Sequence, residues 1–208
     1  MNTPPAGPRA AWQADLDAGR VRPDPAQRRA LDTLESLYEA IRRPPPGLFD
    51  RLLRRVPGPA GAYLWGAVGR GKTYLMDLLC DALPDGTAHR AHFHAFMLDI
   101  HAALRARRGQ AEPVPGVADA LAARMRLLCL DELQVHDVAD AMVLGPLLSG
   151  LIERRVRVVL TSNRPPDELY RHGLQRERFL PTVALLKTRL TVIPLDGPVD
   201  YRAQTLAE

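Results

Sequence analysis

Continuously apolar runs alternate with stretches of helical periodicity along most of this chain. Four of the runs predict buried parallel strands, at residues 62–65, 127–130, 156–161 and 191–195, because a strand covered on both faces shows no polar alternation. A fifth strand is predicted at residues 91–96. Helical patterns separate the runs, which indicates crossover connections that cover both faces. The pattern predicts an α/β fold with a central parallel five-stranded sheet flanked by helices.

The N-terminal part of the chain lacks such runs. Residues 1–23 are polar and proline-rich, which predicts a flexible arm. Asp24 is followed by a proline, and this pair predicts a helix start because Asp caps helices and proline suits the first helical position. A linker is predicted at residues 43–60. We therefore divide the chain into an arm at 1–23, a helix and linker at 24–60, and a core at 61–208.

Composition and charge exclude several classes of protein. The chain has 208 residues and a formal net charge of +4. Acidic and basic residues are interleaved, so the arginine clusters favour a solvated surface over a nucleic-acid surface. Cys80 and Cys129 lie in apolar runs, far apart in sequence, which predicts buried free thiols and no metal cluster. No secretory or membrane-spanning segment stands out, so we expect a cytoplasmic protein.

The segment GAVGRGKT follows the first predicted strand and fits the pattern G-x-x-x-x-G-K-[ST] at every fixed position. Its glycines allow successive backbone amides to face a phosphate group, and the next helix adds the positive end of its dipole. Lys72 is predicted to bridge the β- and γ-phosphates, and the Thr73 hydroxyl to bind Mg²⁺. The predicted phosphate-binding residues are Gly66, Ala67, Val68, Gly69, Arg70, Gly71, Lys72 and Thr73. The expected ligands are ATP and Mg²⁺.

Two further predicted strands carry polar residues at their carboxyl ends, the edge at which open parallel sheets bind ligands. Asp131 and Glu132 follow one of them. Asp131 is predicted to hold Mg²⁺, and Glu132 to orient and partly deprotonate the attacking water. Asn163 follows the other strand and is predicted to contact the γ-phosphate or that water. The alternatives are a solvated turn at the two acids and a helix cap at Asn163.

The segment GLQRERF contains two candidates for an arginine that acts in a neighbouring subunit. A guanidinium that reaches the neighbour's γ-phosphate stabilises the transition state of phosphoryl transfer. We assign this role to Arg178, with Arg176 as the second candidate. The alternative for Arg178 is a surface position or a pairing with Glu177.

Four segments form a longer pattern: LWGAVGRGKTYLMDL, HFHAFM, CLDELQVHDVADAM and TSNRPPDELYRHGLQRERFLP. Together they resemble the ZapE cell-division ATPase group, also known as Afg-one-like ATPases, a branch of the AAA+ P-loop proteins. The resemblance covers residues 24–202. It implies an AAA+/ASCE-type P-loop fold, Mg²⁺-dependent ATP hydrolysis and a homo-oligomer with an arginine finger. In the bacterial branch it also implies action on the FtsZ division ring, which would bring the protein to membrane-bound machinery as a peripheral partner.

Two features depart from that resemblance. Members of the group continue beyond the segment that corresponds to residues 199–202, and the resemblance implies a lid and a second sensor arginine there. We therefore expect this chain to lack the C-terminal lid, with nucleotide binding retained. The other departure is Pro146, which lies within an apolar helical stretch at residues 139–152. Because proline disrupts the helical hydrogen-bond ladder, we predict a bend at Pro146.

Histidines and one glutamine give two further predictions. His92 and His94 are expected to share one face of the fifth strand. One interpretation is a metal-binding pair with His101 nearby, but a structural role is favoured because no carboxylate or thiol completes a zinc site. The region of Gln27 is a candidate contact for adenine. The alternative is a solvated glutamine on an amphipathic helix.

Other protein classes share parts of this pattern. A small-molecule kinase would not need the acid pair followed by Asn163 and a finger. A GTPase would carry an Asn-Lys-x-Asp guanine reader, which this sequence lacks. A helicase-loader-like AAA+ protein that binds single-stranded DNA shares every predicted site element. A non-hydrolysing ATP-binding adaptor is the remaining alternative.

Overall fold

The computed structural model describes residues 7–43, 60–109 and 111–195. Its centre is a parallel five-stranded sheet with the order β2-β3-β4-β1-β5. The strands are β1 (Gly61–Trp65), β2 (Ala88–His92), β3 (Leu127–Asp131), β4 (Arg157–Ser162) and β5 (Thr191–Pro194). The predicted sheet is therefore confirmed. Strand β1, which precedes the phosphate loop at residues 66–73, lies between β4 and β5.

Helices cover both faces of the sheet. They are α1 (Pro8–Asp17), α2 (Pro25–Arg42), α3 (Lys72–Asp81), α4 (Phe93–Arg105), α5 (Pro113–Ala122), α6 (Val138–Glu153) and α7 (Leu180–Arg189), with short 3₁₀ turns at Pro166–Glu168 and Arg176–Arg178. Successive residues of a strand point to opposite faces. Leu128 and Leu130 accordingly pack with α4, α5, α6 and α7, whereas Leu127 and Cys129 pack with α1, α2 and α3.

The second strand differs from its prediction. We predicted a strand at residues 91–96, but β2 ends at His92 and α4 begins at Phe93. The residues from Phe93 onward follow a helical period, and the helix buries Phe93, Phe96, Met97 and Ile100 on one side. His94 lies in the first turn of α4, so the expectation that His92 and His94 share a strand face is wrong. The described residues contain no group of three or more His, Cys, Asp or Glu that could hold a metal ion.

The N-terminal segment is also more ordered than predicted. A flexible arm was expected at residues 1–23, but residues 8–17 form α1, and Trp12 is only 3% exposed. An indole buried at that level stabilises the docked helix through its large apolar surface. Helix α2 begins as predicted, because the Asp24 side chain accepts hydrogen bonds from the backbone amides of Ala26 and Gln27. Of the predicted linker at 43–60, residues 44–59 lie outside the described residues.

The apolar helix that contains Pro146 extends from Val138 to Glu153 as one element. Its Asp137 cap accepts a hydrogen bond from the Asp140 amide at 2.8 Å, which fixes the start of the helix. The bend at Pro146 stays a prediction. Among the described residues, no helix combines the length and the apolar character needed to cross a bilayer.

Candidate nucleotide-binding site

The phosphate loop joins β1 to α3. Gly69 and Gly71 have φ values of 81° and 78°, a left-handed backbone that glycine adopts readily. A Cβ on Gly71 would lie 2.6 Å from Nε2 of Gln27, so the loop also passes close to α2 at this point. Helix α3 begins directly after Gly71. The first amides of a helix lack partners within the helix, so a helix start of this kind can bind an anion.

Lys72 lies within the loop and is 9% exposed. Its Nζ donates hydrogen bonds to the carbonyl oxygens of Gly66 and Ala67, each at 2.8 Å, and to Oδ1 of Asn163 at 2.9 Å. An ammonium group donates up to three hydrogen bonds and carries its charge in all of them. The two predicted phosphate contacts, Lys72 and Asn163, are therefore neighbours although 91 positions separate them.

The carboxylate of Asp131 lies beside the Thr73 hydroxyl. Thr73 Oγ1 is 3.2 Å and 3.1 Å from the two oxygens of Asp131, which is 3% exposed. Thr161 Oγ1 on β4 also donates to Oδ1 of Asp131. A buried carboxylate is tolerated when such bonds satisfy its oxygens. A hydroxyl and a carboxylate are oxygen ligands of the kind that Mg²⁺ prefers, so this pair fits the predicted metal site.

Arg90 on β2 is a functional candidate that sequence analysis missed. Its Nε is 2.7 Å from Oδ1 of Asp77 on α3, and its Nη2 is 3.5 Å from Oδ2 of Asp131. Asp77 in turn has a pKa raised by burial, which the Arg90 charge partly opposes. The register of β2 against β3 pairs Arg90 with Cys129. This strand pairing places the Arg90 guanidinium beside Asp131. Arg90 belongs to no local sequence motif that would have identified it.

Glu132 has an unusual backbone conformation directly after β3. Its φ is 56°, in the left-handed region that non-glycine residues seldom adopt, and such strain often marks a functional site. Its backbone amide donates to Thr161 Oγ1 at 3.0 Å and to Oδ1 of Asp131 at 3.2 Å. The side chain is exposed. It borders the same cavity as Lys72, so the carboxylate is available to a water molecule there.

The end of β4 connects the loops of both neighbouring strands. The Ser162 carbonyl accepts a hydrogen bond from the Gly66 amide at 3.2 Å, and the Ser162 hydroxyl donates to the Leu133 carbonyl at 2.9 Å. Asn163, next along the chain, holds Lys72 as described above. Residues 161–163, which we call the β4 tail, therefore contact both the phosphate loop and the acid pair.

These elements enclose a cavity of about 300 Å³ at the carboxyl edge of the sheet. The cavity is lined by Val68, Gly69, Arg70, Gly71, Lys72, Thr73, Tyr74, Asp131, Glu132, Thr161, Ser162 and Asn163. It combines backbone amides, one ammonium, a hydroxyl–carboxylate pair and a second carboxylate. Such a set can bind a polyphosphate, hold a hard cation and accept a proton from water.

Gln27 on α2 forms a hydrogen bond with the phosphate loop. It is 1% exposed; its Nε2 donates to the Arg70 carbonyl at 3.3 Å, and its Oε1 accepts from the Trp12 indole at 3.4 Å. Close by, the Tyr74 hydroxyl donates to Asp15 at 2.5 Å, and burial raises the pKa of Tyr74. The glutamine is thus not solvated; α2 contacts the loop through Gln27, and α1 contacts α3 through Asp15. An adenine contact in this region stays a prediction.

The two arginine-finger candidates, Arg176 and Arg178, differ in their hydrogen bonds. Arg176 donates to the carbonyl oxygens of Leu169 at 2.5 Å and Asp167 at 2.7 Å, so its guanidinium is bound to its own segment. Arg178 is exposed, and its Nη1 donates to Oε1 of Gln175 at 3.0 Å. Arg178 does not line the cavity that contains Lys72. Within one chain, therefore, the structure does not bring Arg178 to the predicted catalytic residues.

Comparisons with known proteins agree with this geometry. The family profile of the AFG1-like ATPases matches residues 6–208. The cell division protein ZapE of Escherichia coli (strain K12) is 43% identical over 216 residues, an alignment that covers 97% of this chain and 57% of ZapE. The chain thus spans little more than half the length of that curated relative.

Solved structures match the fold. The structure of DnaI aligns with a TM-score of 0.59 at 19% identity and covers 86% of each chain. The DnaC helicase loader aligns with a TM-score of 0.55 at 16% identity and covers 89% of this chain and 98% of DnaC. These likenesses confirm the predicted P-loop fold of the AAA+/ASCE type. Together with the family profile and the identity to ZapE, they lead to one assignment: the chain belongs to the AFG1-like ATPase family.

Proposed function

We propose that this chain binds ATP with Mg²⁺ and hydrolyses ATP to ADP and phosphate. The observation that carries the proposal is the arrangement around Lys72: the ammonium lies within the loop and 2.9 Å from Oδ1 of Asn163. The Thr73–Asp131 pair lies next to it in the same cavity. Phosphoryl transfer to water requires a cation, a pair of groups that binds a metal ion, and a polar group near the γ-phosphate. Lys72, the Thr73–Asp131 pair and Asn163 bring these groups together at one edge of the sheet.

Each side chain has one role in this proposal. Lys72 holds β- and γ-phosphate oxygens, and the amides of the loop hold the remaining phosphate oxygens. Thr73 and Asp131 bind Mg²⁺, which supplies positive charge against the charge that develops on the phosphates. Glu132 accepts a proton from the attacking water. Asn163 contacts the γ-phosphate or that water.

Calorimetry and phosphate release test this proposal. We expect the folded chain to bind ATP, to bind it more tightly with Mg²⁺, and to release phosphate only when Mg²⁺ is present. GTP serves as the comparison nucleotide because the sequence contains no guanine reader. The proposal fails if the folded chain binds no adenine nucleotide in the presence of Mg²⁺. Binding without phosphate release would favour the non-hydrolysing adaptor.

We also propose that a homo-oligomer completes the site with Arg178 of a neighbouring subunit. Two observations support this choice over Arg176. Arg178 is exposed, whereas Arg176 is engaged with two carbonyl oxygens of its own segment. Two exposed leucines, Leu174 and Leu180, at 71% and 49%, flank Arg178 in sequence and offer apolar surface for a contact with another copy.

For the cellular role we propose action on the FtsZ division ring, in the cytoplasm, as a peripheral partner of membrane-bound division machinery. The identity to a protein named for cell division supports this role. Co-sedimentation with FtsZ polymers tests it, and we expect more of the chain in the pellet with ATP than with ADP. Equal amounts of chain in the pellet with and without FtsZ would rule out this role.

The helicase-loader alternative receives less support from the surface. In the arginine cluster at residues 154–157, Arg157 is buried, and burial lowers its pKa. Arg154 pairs with Asp119 at 2.6 Å. This cluster therefore does not present a continuous basic stripe for a nucleic-acid backbone. Binding to single-stranded DNA that weakens steeply with salt would revive the alternative.

A further inference from the structure

The two cysteines of the chain meet on the sheet face that packs against α1, α2 and α3. Cys80 lies near the end of α3 and Cys129 in the middle of β3, and their Sγ atoms are 3.4 Å apart. Both are free thiols. Two separate buried thiols were predicted, because 49 positions of sequence separate the cysteines. The packing of α3 on the sheet brings them into contact.

The two sulfur atoms are already in contact. A disulfide has an S–S distance of about 2.0 Å, so the pair must close by roughly 1.4 Å to form the bond. The two thiols differ in access: Cys80 is half-buried, whereas Cys129 is 0% exposed. An oxidant from solvent therefore reaches Cys80 first. The hydrogen bond between the two sulfurs also lowers the pKa of Cys80, which increases its thiolate fraction.

We propose that Cys80 and Cys129 are an oxidation site that forms an intramolecular disulfide with an oxidant of the peroxide class. In the first step the Cys80 sulfur attacks one oxygen of hydrogen peroxide, the O–O bond breaks, and Cys80 becomes a sulfenic acid with release of one water. In the second step the Cys129 sulfur attacks Sγ of Cys80, the S–S bond forms, and the sulfenic oxygen leaves as a second water with the thiol proton of Cys129. Two thiols lose two electrons in total, and the peroxide gains them.

The disulfide would join two elements of the proposed nucleotide site. Helix α3 begins with Lys72 and Thr73, and β3 ends with Asp131. A bond between Cys80 and Cys129 links these elements covalently at a distance from the ligands themselves. The oxidation site does not depend on nucleotide binding, so it stands or fails separately from the proposed ATPase activity.

Thiol counting and peptide mapping test the proposal on the unmodified full chain. The reduced protein is exposed to hydrogen peroxide, alkylated and digested with trypsin. We expect both thiols to be lost together and the peptides 73–90 and 127–154 to appear as one disulfide-linked species, restored to separate peptides by a reductant. This measurement needs no variant, so the folding of a substituted protein does not affect it.

Two variants separate the steps. In Cys129→Ser, Cys80 should stop at the sulfenic acid, which dimedone traps. In Cys80→Ser, which changes the half-buried position, Cys129 should keep its thiol under the same exposure. The proposal is wrong if peroxide consumes only the Cys80 thiol of the unmodified chain, or if the disulfide joins two chains instead of residues of one chain.

Discussion

Lys72 and Arg178 are two cations proposed to act on one nucleotide, and the chain holds them in opposite ways. Lys72 is 9% exposed and bonded to loop carbonyls and to Asn163. Arg178 is exposed and bonded to Gln175 on its own segment. Under this proposal, Lys72 can act in every folded chain. Arg178 can act only when a second copy of the chain is present, so its contribution to phosphate release should depend on protein concentration.

The largest effect is expected for Lys72→Ala. Hydrogen bonds to charged groups contribute about 1.5–3 kcal/mol each, so the loss of two phosphate contacts should weaken ATP binding by roughly 10³-fold and abolish turnover. Calorimetry measures the affinity. Lys187→Ala is the matched control, because Lys187 is the other lysine of the chain and pairs with Asp167 on the surface. Equal weakening by both variants would contradict the assignment of Lys72.

Arg178→Ala should lower phosphate release by roughly 10³-fold and leave ATP affinity unchanged, since the finger contributes mainly to the transition state. Arg189→Ala, at another exposed position, is the control. Mixing Arg178→Ala with Glu132→Gln sharpens the comparison. If the finger acts between chains, mixed oligomers contain some sites with both an intact Glu132 and an intact neighbouring Arg178. Activity of the mixture above the sum of the two variants is expected, and no rescue would contradict action between chains.

Glu132→Gln should reduce phosphate release by roughly 10²-fold while ATP binding persists, because the amide cannot accept the proton of the attacking water. The substitution preserves the size of the side chain. Glu112→Gln makes the same change at an exposed position remote in sequence and should leave the rate unaltered. Unchanged phosphate release in Glu132→Gln would show that this carboxylate is not the base.

The smallest effect is expected for Gln27→Met, which keeps a buried side chain of similar size and adds no charge. Methionine cannot donate to the Arg70 carbonyl, so the loop loses one hydrogen bond. One such bond contributes about 1 kcal/mol, and ATP affinity should fall by about tenfold or less. Gln13→Met makes the same change on the exposed side of α1. A fall in melting temperature with unchanged ATP affinity would assign Gln27 to packing alone.

The phosphate loop and the acid pair could be predicted because each is a short motif next to a buried strand. The sheet topology then brings the ends of β1, β3 and β4 to one edge, so Lys72, Asp131 and Asn163 meet without further information. Arg90 was missed because its contact with Asp131 depends on the register of an edge strand.

Another error arose where local composition and tertiary packing disagree. Residues 1–23 are polar and proline-rich, so their sequence alone favours a flexible arm. Burial of Trp12 against α2 stabilises residues 8–17 as a helix. The segment HFHAFM is a different case. A strand was predicted at residues 91–96, but a local apolar period of helical spacing begins at Phe93 and starts α4.

The β4 tail has a consequence for how substitutions combine. Thr161 bonds Asp131, Ser162 bonds the backbone of Gly66 and Leu133, and Asn163 bonds Lys72. Residues in one hydrogen-bond network show coupling energies of about 0.5–3 kcal/mol, so free-energy changes at these positions should not add. A double-mutant cycle between Asn163 and Lys72 would therefore report a shared energy, whereas a cycle between Asn163 and Lys187 should be additive.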